Sequence, residues 1–298
     1  MAALTRIQDK IKELFGRDSL DWLSLSYAID WLVASTFFFL GGFVSHLPPF
    51  EREFSPGDPV ISHKHHSSQI SGTLNGSIAL YIPLILAVVV GAMKRSAVGI
   101  HHAALALWAG RSLTRFATEC LKNRIGRLRP DFLARCKWDA AAKACTGKSV
   151  NILDGRRSFP SGHSSTAFAG MTFLSLWLAG QTAAWCFAAP VSGRAATASR
   201  LGRFTLALLP LAYAIWVAVS RLEDNRHHKE DVIAGALIGA LCSGICYFIY
   251  WPNPFSANNF TPERVGQPRV TYGPRESYNE RSNGGFELTR LQDDTEHV

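Results

Sequence analysis

Three short runs in this chain combine histidines, a carboxylate and cations at spacings that suit phosphoryl transfer. Residues 122–130 read KNRIGRLRP, residues 160–163 read PSGH and lead into Ser164 and Ser165, and Ser220-Arg221 is followed by His227 and Asp231. Lys122, Arg129 and Arg221 are cations placed where apolar stretches end. A phosphate dianion offers oxygens to such a cluster; arginine grips two at once, and lysine acts as a point charge. Ser161 and Gly162 precede an apolar stretch. Free N–H groups at a helix start favour an anion there, and glycine allows close approach. His227 and Asp231 are four residues apart, so on a helical turn they share a face. A carboxylate bonded to one imidazole nitrogen fixes the tautomer and leaves the other free to attack phosphorus. His163, from a different stretch, is placed to protonate a leaving alkoxide. The cations would stabilise charge on the equatorial oxygens of an in-line transfer.

Each run has an ordinary explanation by itself. Basic residues beside an apolar segment serve as topogenic or headgroup contacts, a serine before a helix is a cap, and a His–Asp pair at this spacing is commonly a surface contact. Their combination is what carries the argument, and it depends on the elements that bring them together. Six apolar segments stand out, over residues 26–44, 76–93, 97–121, 164–178, 204–219 and 232–251. A spanning helix needs roughly 20 residues, and backbone groups in lipid must be satisfied internally. The segments therefore predict an all-α polytopic membrane protein with six transmembrane helices and its active site at one membrane face. The fourth segment is short unless it borrows flanking residues. The third carries Arg111, Arg115 and Glu119 at helical spacing, which predicts an intrahelical ion-pair face turned into the bundle. In the sixth, Gly235, Gly239 and Ser243 recur every four residues and predict close helix approach. Six crossings put the loops at 45–75, 122–160 and 221–231 on one side, with all the reactive residues in or beside the last two.

Composition agrees. Of 298 residues, 47% are hydrophobic and 18% charged, and the charged share is below that of ordinary soluble domains. The net charge of +8 fits nucleic acid, an anionic membrane surface or a phosphorylated substrate. Cations at the ends of apolar segments select the membrane and the phosphorylated substrate, not nucleic acid. The six cysteines include no CxxC pair, and no metal or other cofactor is expected. His63, Lys64, His65 and His66 form a run that is expected to be a solvated loop, because neighbouring residues in a loop rarely converge on a metal. Residues 1–25 are a polar tail, 26–251 the six-helix domain, and 252–298 a Pro-, Gly- and charge-rich tail expected to be disordered.

The pattern K-x6-RP, PSGH and SR-x5-H-x3-D, at Lys122, Arg129, Pro130, Pro160 to His163, Ser220, Arg221, His227 and Asp231, resembles the type 2 phosphatidic acid phosphatase superfamily. Residues 126–130 (GRLRP), Phe132, Leu133 and Cys136, together with the stretch at 50–54, Asp58, Ile61 and Ser62, are similar to its lipid phosphate phosphatase branch, which includes diacylglycerol pyrophosphate phosphatases. The resemblance covers about residues 25–251. It implies a six-helix membrane fold and magnesium-independent hydrolysis of phosphatidic acid, lysophosphatidic acid or diacylglycerol pyrophosphate. It also implies His227 as nucleophile with Asp231 behind it, and His163 as acid. Lys122, Arg129, Ser161, Gly162 and Arg221 would be phosphate ligands. Polyprenyl or sphingoid phosphates are alternative substrates. A non-catalytic lipid-phosphate binder and a transporter are alternative functions; an intact His227 argues against the first, and charges gathered at one face argue against the second.

Basic residues in the first 20 positions and at Lys94-Arg95 predict cytoplasmic termini and an active site on the lumenal or extracytoplasmic side. Cys136 and Cys145 share a loop on that side; there they are a disulfide or two free thiols. Asn75 begins a glycosylation sequon close to the membrane. Nothing in the sequence sets the oligomeric state.

Overall fold

The computed structural model describes residues 23–189, 198–261, 264–269 and Tyr272. The two expected tails lie mostly outside these residues. Among the described residues six long helices form the body: α1 Leu25–Val44, α2 Gly72–Met93, α3 Ala97–Ile125, α6 Gly162–Thr182, α7 Arg200–Glu223 and α8 Lys229–Tyr250. Two short helices, α4 Phe132–Cys136 and α5 Ser149–Gly155, and a two-stranded ribbon of β1 Trp138–Asp139 and β2 Ala144–Cys145 lie between α3 and α6. The ribbon is antiparallel, pairing Trp138 with Cys145.

Five of the six long helices start the same way. The side chains of Ser24, Ser71, Ser96, Ser161 and Ser199 each accept a hydrogen bond from an amide of the first turn, which satisfies a donor that has no intrahelical partner. The sixth, α8, begins without a serine. There the carboxylate of Asp231 reaches back to the His228 amide at 3.0 Å. That substitution of cap chemistry is the first sign that the start of α8 has another task.

Helix α6 is the axis of the bundle, packed on α2, α3, α7 and α8, while α1 packs on α3. Its central position explains its composition. Ser164, Ser165 and Ser175 are buried in it, and a helix shielded from lipid can hold polar side chains as long as neighbours bond them. The outer helices show the opposite character. Leu25, Phe39, Met93, Leu201 and Leu241 are all exposed large apolar side chains, a surface fitted to hydrocarbon and not to water. Four helices, α1, α2, α7 and α8, are long and apolar enough to cross a membrane. Helix α3, with its charges, and the interior α6 do not meet that standard by composition. The short fourth segment of the sequence does extend at both ends, to 21 residues.

Small residues let the helices close on one another. A side-chain carbon on Gly235 or Gly239 would collide with the α6 carbonyls of Ser161 and Ser165, and one on Gly110 would meet the Cα of Ser243 at 3.0 Å. The spacing of Gly235, Gly239 and Ser243 thus brings α8 against both α6 and α3. Gly126 ends α3 with φ of 56°, a left-handed cap that glycine adopts without strain. A side chain there would strike the Phe50 carbonyl.

The loops 45–71 and 126–161 build a small polar cap over one end of the bundle. Its core is Ile61, Leu128, Phe132 and Cys136, with Phe54 and Trp138 against them. Cys136 and Cys145 are joined by a disulfide, their Cα atoms 4.8 Å apart. The histidine run is exposed, as expected of a solvated loop, and two contacts tie it to the neighbouring loop. His65 Nδ1 lies 2.6 Å from Asp131 Oδ2, and the His63 amide donates to the Pro130 carbonyl at 2.9 Å. Asn75 is 1% exposed and donates to the His163 carbonyl at 3.0 Å, so the sequon asparagine is closed off inside the bundle.

Candidate active site

The end of the bundle beneath this cap gathers the three motifs. Lys122 lies in the last turn of α3, Arg129 in the loop beyond it, Ser161 to His163 at the start of α6, Arg221 in the last turn of α7, and His227 and Asp231 around the start of α8. The gathering is enforced by backbone. The Ser161 amide donates to the Asp231 carbonyl at 2.9 Å, and the Arg129 amide donates to the Gly155 carbonyl at 2.9 Å. A side-chain carbon on Gly162 would lie 2.9 Å from Lys122 Nζ, so this glycine makes room for the ammonium. Arg221, His227, Arg129 and Lys122 are all within electrostatic reach of His163.

His227 is oriented differently from the simplest expectation. Its Nδ1 is 3.8 Å from Asp231 Oδ2, too far for a hydrogen bond. Instead Nδ1 lies 2.8 Å from the Ser158 carbonyl. A carbonyl only accepts, so Nδ1 carries the proton and Nε2 keeps its lone pair. The Asp231 carboxylate is held away by stronger claims. Ser158 Oγ donates to it at 2.5 Å, Arg127 Nη1 at 2.8 Å and the His228 amide at 3.0 Å. Ser158 therefore bridges the two, giving its carbonyl to His227 and its hydroxyl to Asp231. Burial pushes the His227 imidazole down to about 4; the Asp231 carboxylate opposes this, and Arg129 and Lys122 add to it. The ring is neutral at physiological pH.

The cations are less free than the motif suggests. Arg129 gives Nε to the Asp154 carbonyl at 2.9 Å and Nη2 to Asp154 Oδ1 at 2.8 Å, which leaves Nη1 for a ligand. Arg135 grips the other oxygen of Asp154 at 2.7 Å and Asp131 at 2.8 Å. Burial alone would raise the Asp154 carboxyl, yet Arg129 and Arg135 hold it below its ordinary range. Arg221 is 1% exposed. It donates Nη1 to Ser68 Oγ at 2.6 Å, and Nη2 and Nε to Ser220 Oγ at 3.0 and 3.2 Å, and its Nη2 lies 3.0 Å from Asp224 Oδ2. With five N–H groups, Arg221 has one on Nη1 to spare. Lys122 Nζ sits 2.8 Å from Glu119. This pairing corrects the expected ion-pair face of α3, because Glu119 reaches toward Lys122 and leaves Arg111 and Arg115 without it.

The Ser161 amide is taken by the Asp231 carbonyl. Its hydroxyl accepts from the Ser164 amide as the cap of α6 and keeps its O–H to donate. The amides of Gly162 and His163 have no intramolecular partner among the described residues. His163 Nε2 is buried and unpartnered. No three His, Cys, Asp or Glu side chains converge as metal ligands among the described residues.

Sequence reasoning missed Ser158, Asp154 and Ser68, and gave Arg127 no task. Ser158 and Asp154 stand two and six residues before the PSGH run. Neither has a spacing that announces a partner, since Ser158 meets Asp231 across 73 positions.

Comparison with known proteins gives the family. Residues 103–255 match the PAP2 superfamily. The chain is 30% identical over 249 residues to lipid phosphate phosphatase 2 of Arabidopsis thaliana, covering 80% of this chain and 82% of the relative. It is 34% identical over 227 residues to diacylglycerol pyrophosphate phosphatase 1 of Saccharomyces cerevisiae, covering 70% and 74%. With lipid phosphate phosphatase 1 of Arabidopsis thaliana it shares 35% identity over 191 residues, 62% of this chain and 55% of the relative. No solved structure matches it. A helical bundle with apolar outer helices and a cation-and-histidine site at one end defines an integral membrane phosphatase. The chain belongs to the PAP2 superfamily.

Proposed function

We propose that this protein is a magnesium-independent lipid phosphate phosphatase that works through a phosphohistidine at His227. The observation that carries the reading is the hydrogen bond from His227 Nδ1 to the Ser158 carbonyl at 2.8 Å. It commits the proton to Nδ1 and presents Nε2 as a neutral nucleophile. Nε2 attacks the phosphorus, the ring becomes cationic, and Asp231 at 3.8 Å stabilises that charge. Arg129 Nη1, the spare N–H of Arg221, Lys122 and the Gly162 and His163 amides hold the phosphoryl oxygens. His163 gives a proton to the departing alkoxide, and water then cleaves the phosphohistidine.

The substrates in this reading are phosphatidic acid, lysophosphatidic acid and diacylglycerol pyrophosphate, which enter from the bilayer. All six long helices cross the membrane, with α3 and α6 inside the ring of the other four. The domain spans residues 26–251, with residues 1–25 and 252–298 as cytoplasmic tails. The site faces the lumen or cell exterior, and the Cys136–Cys145 disulfide supports an oxidising compartment there. Phosphate release from phosphatidic acid in detergent micelles containing EDTA tests the proposal. Wild type should be active and His227→Ala inactive. Equal rates in the two proteins would reject the mechanism, and folded wild type inactive on every lipid phosphate tried would leave only the binding role.

A further inference from the structure

A cavity of about 240 Å³ opens beside the reaction site, among α1, α2, α3 and α6. Lys122, Gly162 and His163 border one part of it, and Arg111, Arg115 and Glu119 border the rest. Its polar lining is unbalanced. Glu119, the one carboxylate along it among the described residues, is held by Lys122 at 2.8 Å. Arg111 has no hydrogen bond or ion pair among the described residues, and its Nη1 is buried without a partner. Arg115 rests on the Phe38 ring at 4.2 Å, also without a carboxylate among the described residues. His163 Nε2 is a second buried nitrogen left unbonded.

Charges placed among apolar helices are costly, and unpaired ones demand a ligand or a water-filled path. The two arginines are cations without a carboxylate among the described residues, so the matching ligand is an anion. Its position can be fixed along α2. A side-chain carbon on Gly72 would lie 3.7 Å from His163 Nε2, and one on Gly76 would lie 3.9 Å from Arg111 Nη2. Four helical residues rise about 6 Å. The Arg111 guanidinium thus lies about one helical turn further along α2 than the proposed proton donor.

We propose that Arg111 and Arg115 form a second anion subsite that holds the inner phosphate of a lipid pyrophosphate. The inference rests on the phosphatase reading above and names the residues that would take the inner phosphate of its pyrophosphate substrate. Nε2 of His227 bonds to the terminal phosphorus. The bond between that phosphorus and the bridging oxygen breaks, and its electron pair stays on the oxygen, which departs as part of a lipid monophosphate. Water then attacks the phosphohistidine, releases inorganic phosphate and restores Nε2. The departing monophosphate is weakly basic, so the two guanidiniums carry its new charge where an alkoxide would need a proton from His163.

The test compares kcat/KM for diacylglycerol pyrophosphate and phosphatidic acid of the same acyl chains in mixed micelles. Arg111→Gln and Arg115→Gln should each lower the pyrophosphate value by about 10- to 100-fold and keep the phosphatidic acid value within about threefold, which also reports folding. Arg111→Lys should recover part of the loss. On wild type, a methylene-bisphosphonate lipid should inhibit phosphatidic acid hydrolysis at least about tenfold more tightly than the monophosphonate. Equal inhibition by the two, or equal losses on both substrates, overturns the subsite. Wild type that hydrolyses neither these two lipids nor any other lipid phosphate tried rejects the phosphatase reading itself, a different outcome.

Discussion

Replacing Asp231 by asparagine separates what the carboxylate does for catalysis from what it does for the fold. Asp231 is 0% exposed and touches Ser158, Arg127 and the His228 amide, while His227 Nδ1 stands 3.8 Å away. The imidazole gains a positive charge when Nε2 takes the phosphoryl group. A unit charge pair at 3.8 Å, with an effective dielectric of about 20, is worth about 4 kcal/mol, or roughly a thousandfold in rate. Asparagine keeps a dipole in place, so a fall in kcat of about 10²- to 10³-fold is expected. Its amide nitrogen must also face a donor, and Arg127 loses its buried counter-charge, for a stability loss of about 1–3 kcal/mol. Rate on phosphatidic acid and thermal unfolding in the same detergent measure both. Ser158→Ala removes one hydrogen bond and keeps the backbone carbonyl that orients His227, so its rate should fall by about tenfold or less. An Asp231→Asn protein with nearly normal kcat would refute the electrostatic role. So would a Ser158→Ala loss as large as that of Asp231→Asn.

Further expectations follow from the same geometry. The His227 imidazole, lowered to about 4 by burial, stays neutral as pH falls until it passes through that value. The acid limb of kcat/KM should therefore lie near 4, with about 90% of the nucleophile competent at pH 5 where an ordinary histidine would be about 3% competent. An acid limb near 6.5 would contradict the buried, neutral ring. Gly162→Ala places a carbon 2.9 Å from Lys122 Nζ; the lysine can swing away, so the protein should fold, with KM raised by about tenfold. An unchanged KM would remove Lys122 from the phosphate site. His163→Asn should slow phosphatidic acid hydrolysis far more than diacylglycerol pyrophosphate hydrolysis, because only the alkoxide needs the proton. Equal slowing would deny His163 the role of acid.

Much of the fold was legible because apolar runs of spanning length leave few alternatives. Even so, the periodic signal missed the differences among helices. The fourth segment looked short because Ser161 to Ser165 and Gln181 are polar, and the interior placement that tolerates them is a tertiary fact. Gly235, Gly239 and Ser243 could be read as a packing stripe, but only the assembled bundle shows Gly110 opposite Ser243. At the site, residue types and order picked out the groups that the fold gathers at one end of the bundle, and their partners stayed hidden. The His227–Asp231 spacing suggested a direct bond, yet Ser158, from the turn before α6, stands between them. Arg111, Arg115 and Glu119 shared a helical face as their spacing required. Side-chain reach then decided against the expected pairing, since Lys122 lies one turn further on and takes Glu119. Hydrogen-bond competition between distant segments cannot be read from spacing within one.

The most direct test of the central claim is to trap the intermediate. Wild type and His227→Asn are mixed with phosphatidic acid radiolabelled in its phosphate, in EDTA, quenched in base within the first turnover, digested and mapped. The account predicts acid-labile, base-stable label on the wild-type peptide that contains His227, and none on the variant. Label on another residue, or rapid hydrolysis that proceeds with no labelled protein and survives the loss of His227, would contradict it.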